Sequence, residues 1–443
     1  MNMVQRIRNH WLLSSIIILS IFLRLGAVLY LGNTVEELPG TYDQISYHNL
    51  ALRVSDGHGF TFGEDWWPLT GEGESTAHWS YLYTLYLTGL YVLSGPVPMV
   101  ARLIQAVIVG ILQPLLAYLI GRQVFDENAG IAAAGLTAIY VYFIYYAATL
   151  MTEPFYITAI MASLYLAIRL AKAYPGNYRK YAIGLGLAIG IAVLLRQLYL
   201  LFVPVMLVWV IWSMWKQSGR IPAKPILITT AVIVLMIIPV TVFNYLQFNT
   251  FLLLNTNAGY AFFWANHPIY GTRFLPILPP EMGSYPDLVP PELRHLNEVD
   301  LDRALLKEGL KIVIEDPVRY LRLSLSRIPV YFMFWSSANS GLVSNISRVT
   351  SFGLMWPVML AGVIYAIFQQ KLKFSQRVLH PATLLLLFVF TYSVIHILSW
   401  TLVRYRLPVD AVLLVFAGLA LARVVERLRL TRRQPALSRP SGS

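Results

Sequence analysis

The sequence predicts an all-α multi-pass membrane protein: about ten transmembrane helices, with further helices lying along one membrane surface. Three observations predict it. Of the 443 residues, 57% are hydrophobic and only 13% charged, against roughly 25% charged in a soluble domain. The mean hydropathy of +0.60 is concentrated in apolar runs of about 20 residues, the length that crosses a bilayer. The Lys and Arg behind the net charge of +12 sit in clusters between those runs, as the positive-inside bias places them. A soluble enzyme, a single-anchor protein and a nucleic-acid binder are excluded. There is no Cys, so disulfides, thiolate metal sites and a Cys nucleophile are excluded too.

The elements follow in order. Arg6 and Arg8 precede an apolar run at 11–31; it is too long for a signal-peptide core and has no small-x-small cleavage site, so it reads as a retained first span. Its basic flank puts the N-terminus in the cytoplasm. Further spans are expected at 99–124, 129–150, 154–171, 181–195, 199–215, 225–246, 352–369, 381–400 and 407–424. Alternation then places five connections inside, near Arg122, at 169–180, at 216–224, at 371–377 and from Arg423 onward. Each carries basic residues, so span count and charge agree. Two apolar stretches remain, 81–94 and 320–335. The first has about 14 residues and the second is interrupted by Arg322 and Arg327, so both are expected as interfacial or re-entrant helices. The chain thus reads as one membrane domain, 1–430, with large outer loops at about 32–98 and 247–350. The Pro/Ser/Arg-rich tail 431–443 is expected to be a disordered cytoplasmic extension.

Long loops in compact proteins are usually functional, and the outer side collects the chemistry. In the first loop, Asp43 precedes a stretch with amphipathic spacing over 44–54. It is either a helix cap or a carboxylate at the membrane boundary able to take a proton from a hydroxyl. Glu153, in Met151-Thr152-Glu153-Pro154, lies in a very short outer turn with Pro in the first helical turn. An ionisable group so close to lipid is a functional candidate, weighed against simple compensation of the helix dipole. Outer arginines run against the positive-inside bias. Arg196, Arg348, Arg404 and Arg406 precede outward-starting spans, where a helix N-terminus plus Arg makes an anion site. Arg24 and Arg102 either join this set or snorkel. His78 and His267 are outer histidines to test as metal ligands, although no HExxH or paired spacing supports zinc. No phosphate-cradling Gly loop and no G-x-S-x-G elbow is present, so nothing supports a nucleotide site.

An ordered set of segments resembles the GT-C superfamily of glycosyltransferases that use polyprenyl-phosphate sugars, nearest its protein O-mannosyltransferase and lipid A aminoarabinose transferase branch. They are Phe22-Leu23-Arg24-Leu25, Tyr42-Asp43-Gln44-Ile45-Ser46-Tyr47, Thr152-Glu153-Pro154, Leu194-Leu195-Arg196, Asn255-Thr256-Asn257-Ala258-Gly259-Tyr260, Trp264-Ala265-Asn266-His267-Pro268, Asp316-Pro317-Val318-Arg319-Tyr320 and Arg404-Tyr405-Arg406-Leu407-Pro408. The resemblance implies a GT-C-like fold and a lipid-phosphate sugar as donor. It implies Asp43 as base, Glu153 as second catalytic acid, and Arg404, Arg406 and Arg196 as ligands of the donor phosphate. Tyr42, Tyr47, His78, Asn257, Asn266, His267 and Tyr405 would line the substrate cavity. Two departures bear on this: Gln44 follows Asp43 where many members have a second acid, and His78-Trp79-Ser80 stands where many have Pro-Pro. No soluble cofactor is required, and room is left for a divalent metal. The acceptor is a hydroxyl on lipid, protein or glycan, and the setting a bacterial inner membrane with the site facing outward. A lipid-linked glycan ligase or polymerase, and a lipid-linked sugar transporter or flippase, are the competing readings.

Overall fold

The structure, a computed structural model, describes residues 3–337, 340–368 and 373–433. Eighteen helices follow in chain order: α1 (Met3–Leu31), α2 (Asp43–Ser55), α3 (Tyr81–Ser94), α4 (Pro98–Val124), α5 (Glu127–Ile139), α6 (Val141–Ala147), α7 (Glu153–Ala173), α8 (Arg179–Leu195), α9 (Val203–Ser218), α10 (Ala223–Phe248), α11 (Ala258–Asn266), α12 (Glu298–Glu315), α13 (Pro317–Tyr331), α14 (Leu342–Arg348), α15 (Leu354–Phe368), α16 (Phe374–Leu379), α17 (Pro381–Leu398) and α18 (Leu407–Arg433). Short 3-10 turns, including Gln197–Leu201 and Val403–Arg406, join some of them.

All ten expected apolar stretches are helical, but they are not ten equal spans. Among the described residues, seven helical segments are long and apolar enough to cross a membrane, and a bent pair makes up to eight. Helices α8 and α9 have 17 and 16 residues, slightly short of a full crossing. The expected span 129–150 is the bent pair. It breaks at Tyr140, whose backbone is extended, and α5 and α6 meet at 55°. The break has a physical cause outside its own sequence: the Arg24 guanidinium donates to the carbonyls of Thr137 and Ala138, satisfying acceptors at the end of α5 that a continuous helix would have used itself.

Burial sorts the bundle. Within their most apolar stretches, α7 and the segment Val403–Arg429 are each 72% buried, whereas α1 and α10 are each 17% buried. The first two are the core of the bundle and the last two present apolar side chains outward, as lipid-facing helices do. Small residues let the core helices approach. A Cβ on Gly418 of α18 would lie 2.6 Å from the Ala129 carbonyl of α5, and one on Gly130 would lie 2.6 Å from the Tyr118 carbonyl of α4.

One end of the bundle is basic, with Arg423 paired to Asp126, Arg122 to Glu127 and Lys172 donating to the Gln123 carbonyl. The other end carries both large loops. There α3 is the 14-residue helix expected, too short to cross, and packs against α2, α4 and α8. The second short helix, α13, begins at Pro317 and ends at Tyr331. Its Arg327 is fully buried rather than facing lipid.

The centre of this loop layer is α11, held at both ends by charge. Asp302 of α12 accepts the N–H groups of Gly259 and Tyr260 at 2.8 and 3.2 Å. At the C-terminal end, Arg327 donates to the Ala265 carbonyl and to Asn266 Oδ1, and Arg319 to the carbonyls of Asn266 and His267. An acid at the N-terminus and two arginines at the C-terminus complement the helix dipole. Gly259 is obligatory, because a Cβ there would fall 1.7 Å from the Asp302 carbonyl oxygen. One turn earlier on α12, buried Glu298 accepts from Ala77 N (2.8 Å), Thr70 Oγ1 (3.2 Å) and Thr256 Oγ1, tying the two loops together. The tail expected to be disordered from 431 is helical to Arg433; the remainder, 434–443, lies outside the described residues, as do 371–372 of the expected basic connection.

Candidate active site

Four charged side chains from four separate elements meet where the bundle joins the loop layer. Asp43 opens α2. It is the first helical residue rather than the cap, a place taken by Tyr42, whose side chain makes no capping bond. The Asp43 carboxylate is therefore free for tertiary contact, and it meets Arg404 at 2.9 Å (Oδ2) and 3.2 Å (Oδ1), both from Nη2. Arg404 lies in the turn before α18; its Nη1 donates to the Gly40 carbonyl at 3.1 Å, and its Nε has no hydrogen-bond partner. Glu153 Oε1 lies 3.8 Å from that Nε. Glu153 opens α7, with Pro154 behind it, and is buried. Arg196, the residue after α8, binds Glu153 Oε1 through Nη2 at 2.5 Å and Thr152 Oγ1 through Nε at 2.9 Å.

The result is a chain of alternating charge, Asp43, Arg404, Glu153, Arg196, buried at the glutamate and part-exposed at both ends, 23% at Asp43 and 21% at Arg196. Tyr405 backs both cations, its ring 5.3 Å from the Arg404 and 5.4 Å from the Arg196 guanidinium, and Tyr156 flanks Arg196 from the other side at 5.8 Å. Behind Tyr405 stacks the His396 ring at 4.9 Å. Such cation–π contacts orient a guanidinium without using its N–H donors, which stay available for an anion.

The other expected site residues lie at graded distance from this chain. Tyr47 is buried edge-on to Trp79 and Tyr83, its hydroxyl accepting from Ser80 N at 3.4 Å. Burial, helped by the Asp43 charge, pushes its phenol well above the ordinary tyrosine range. Tyr42 is exposed. His78 bonds through Nδ1 to the Thr256 carbonyl at 3.0 Å. Burial favours its neutral ring, against the pull of Glu298 and Asp43. Asn257 accepts from Gln197 at 2.7 Å, tying α11 to the segment that carries Arg196.

Asn266 and His267 belong instead to the α11 terminus. The first is held by Arg327, and the second accepts Ile269 N through Nδ1 at 3.2 Å, its ring kept neutral by burial and the nearby Arg319 charge.

Arg406 is not brought into the cluster. It is completely buried, paired with Asp410 at 2.9 Å, donating to the Tyr331 carbonyl at 2.6 Å and resting 3.5 Å from the Phe352 ring centre. Tyr140 completes the Asp410 shell at 2.7 Å. Of the remaining outer arginines, Arg348 binds the local 335–345 turn, Arg102 the carbonyls of Gly32 and Thr34, and Arg24 the interior of the bundle. Arg24 neither joins the cluster nor snorkels; it is fully buried.

Three contributors were missed by sequence reasoning. Tyr156 and Thr152 flank Arg196, and Gly40, at φ +75°, supplies the carbonyl that holds Arg404. A Cβ at Gly40 would also lie 2.8 Å from the Tyr146 hydroxyl, and a lone Gly in a loop carries no signal for that. Among the described residues no three His, Asp or Glu side chains come together as a cation site. The gap between Asp43 and Glu153 carries a guanidinium, so this donor set does not fit a resident divalent metal.

Residues 81–243 match a protein-family model described as dolichyl-phosphate-mannose-protein mannosyltransferase. No curated protein sequence matches the chain. Among solved structures, the archaeal oligosaccharyltransferase AglB from Archaeoglobus fulgidus, in complex with an inhibitory peptide and a dolichol-phosphate, is 18% identical. It superposes with a TM-score of 0.61 over 97% of this chain and 52% of that one. The chain has the GT-C fold. The chain spans about half the length of the archaeal enzyme. That enzyme in complex with Zn and sulfate gives 0.57 at 18% identity, over 95% of this chain and 50% of that one. ArnT from Cupriavidus metallidurans bound to undecaprenyl phosphate is 14% identical, with a TM-score of 0.40 over 95% of this chain and 79% of that one.

Proposed function

We propose that this protein is a membrane glycosyltransferase that moves a sugar from a polyprenyl-phosphate donor to an acceptor hydroxyl at the loop end of the bundle. The observation that carries the reading is the alternating chain Asp43, Arg404, Glu153, Arg196, which sets a part-exposed carboxylate against one guanidinium and links it through Glu153 to a second. Transfer needs a base for the acceptor and compensation of charge on the leaving phosphate. The acceptor proton passes to the Asp43 carboxylate and the acceptor oxygen bonds to the anomeric carbon. The bond from that carbon to the phosphate oxygen breaks, and its electron pair leaves with the lipid phosphate, held by Arg404 and Arg196. Attack from the face opposite the leaving group inverts the anomeric centre. Glu153 keeps the two cations in place, its charge compensated by both.

Withdrawal of Arg406 to Asp410 leaves two arginines for the leaving group, which suits a monophosphate better than the diphosphate of a glycan ligase. The family match over 81–243 and the fold shared with an enzyme solved with a peptide support a protein acceptor ahead of lipid or glycan. The apolar helices place the chain in a membrane, and the basic end of the bundle supports termini on the cytoplasmic side, with the site facing outward across a bacterial inner membrane. The test is transfer from radiolabelled polyprenyl-phosphate sugars by the detergent-solubilised protein. Asp43→Asn should lower the turnover rate by roughly 100- to 10,000-fold without loss of folded protein; turnover at the wild-type rate removes Asp43 as base.

A further inference from the structure

The two arginines of the cluster are held in different ways. Arg196 is locked: Nε and Nη2 both bond to the Thr152–Glu153 turn at 2.9 and 2.5 Å, and two aromatic rings flank it. Arg404 is held loosely. A single nitrogen, Nη2, serves both Asp43 oxygens, so the planar fork that makes an arginine–carboxylate pair strong is not formed. Its Nε is buried without a hydrogen bond, and Nη1 is satisfied by a carbonyl of the first loop. The one partner it could lose without leaving a fully buried charge behind is Asp43, the most exposed member of the chain.

That arrangement has a chemical consequence. While Arg404 Nη2 bonds both Asp43 oxygens, the carboxylate faces a guanidinium rather than an acceptor hydroxyl. A phosphate offers Arg404 a better partner: more charge, and oxygens spaced for the unused Nε and Nη2 together.

We infer that Arg404 is an exchangeable cation that masks Asp43 until a lipid phosphate arrives, so donor binding itself frees the base and must precede deprotonation of the acceptor. Arg404 turns from Asp43 to the phosphate while Glu153 and Arg196 stay paired. No bond is made or broken in this step; one ion pair is traded for another. An acceptor that enters first finds both Asp43 oxygens occupied by Arg404 Nη2. The inference presupposes the glycosyl-transfer reading above, since it needs a lipid phosphate at this cluster.

The experiment is a double-mutant cycle on the affinity of the purified protein for a polyprenyl monophosphate, using wild type, Asp43→Asn, Arg404→Ala and the double variant, with Asp43→Ala as a second route to the same vacancy. If Asp43 competes for Arg404, either Asp43 variant binds the lipid phosphate roughly ten-fold tighter than wild type, a change of about 1.4 kcal/mol, and the gain vanishes in the Arg404→Ala background. Tighter binding that survives Arg404→Ala is plain relief of repulsion between Asp43 and phosphate and overturns the exchange. Equal or weaker binding in the Asp43 variants overturns it as well. If no folded form, wild type included, binds the lipid phosphate, the glycosyl-transfer reading fails and the inference falls with it.

Discussion

Arg404 and Arg406 stand two residues apart in the same Arg-Tyr-Arg turn and have opposite fates. Arg406 is sealed: its charge meets Asp410, four residues on in the first turn of α18, and the pair has no exposure at all. Arg404 meets an aspartate and a glutamate brought in from distant helices, and the aspartate end opens to solvent. Each arginine keeps one nitrogen without a hydrogen-bond partner, Nη2 of Arg406 and Nε of Arg404, so the spare donor does not separate them. The carboxylate does: Asp410 is sealed with its arginine, whereas Asp43 is 23% exposed and can give Arg404 up. The identity of the residue therefore tells less than the exposure of its partner.

Breaking the sealed pair should give the largest effect. Arg406→Ala leaves Asp410 as an uncompensated buried charge, and the loss expected is about 3–5 kcal/mol, seen as a large fall in melting temperature in detergent. Replacing both partners at once, Arg406→Met with Asp410→Leu, should restore most of that loss. If the single variant melts like wild type, the sealed pair is not structural.

A smaller effect is expected at a carboxylate that has no arginine of its own in hydrogen-bond reach. Burial raises Asp302 from the ordinary carboxylate range to about 6, against the lowering effect of the Tyr260 and Gly259 N–H groups. The folded state thus holds a proton that the unfolded chain releases at about pH 4. This contribution is fully present below about pH 4 and is lost as pH rises to about 6, after which stability is level. The change is at most about 2–3 kcal/mol. Hydrogen exchange of the α11 amides, compared between pH 4 and 7, should show less protection at the higher pH, and Asp302→Asn should flatten that difference. Equal protection at both pH values in wild type would contradict it.

Much of this was legible in the sequence, for identifiable reasons. Asp43, Glu153, Arg196 and Arg404 stand out because a charge at the edge of an apolar run needs a partner, and all four found one in each other. Arg406 looked the same from that viewpoint. The signal that separates it was present, an acid at i+4 in the first turn of the helix that follows, and it identifies the local pair that withdraws it. The same spacing in Glu298 and Asp302 marks the face of α12 that clamps the loop layer. The break between α5 and α6 was not legible, because no Gly or Pro stands at Tyr140 and its cause, Arg24, comes from another helix. Asn266 and His267 were expected in the cavity because the family resemblance runs through Trp264-Ala265-Asn266-His267-Pro268. In three dimensions they finish α11 and are occupied by Arg319 and Arg327.

The comparison is tested most directly by melting wild type and Arg404→Ala in detergent, each with and without a polyprenyl monophosphate. The account predicts that Arg404→Ala alone unfolds within about 1 kcal/mol of wild type, since a part-exposed pair contributes little. It further predicts that the lipid phosphate raises the melting temperature of wild type but not of the variant, because ligand stabilisation requires binding to the folded state. An equal rise in both proteins would contradict it, as would an Arg404→Ala protein that unfolds as readily as Arg406→Ala.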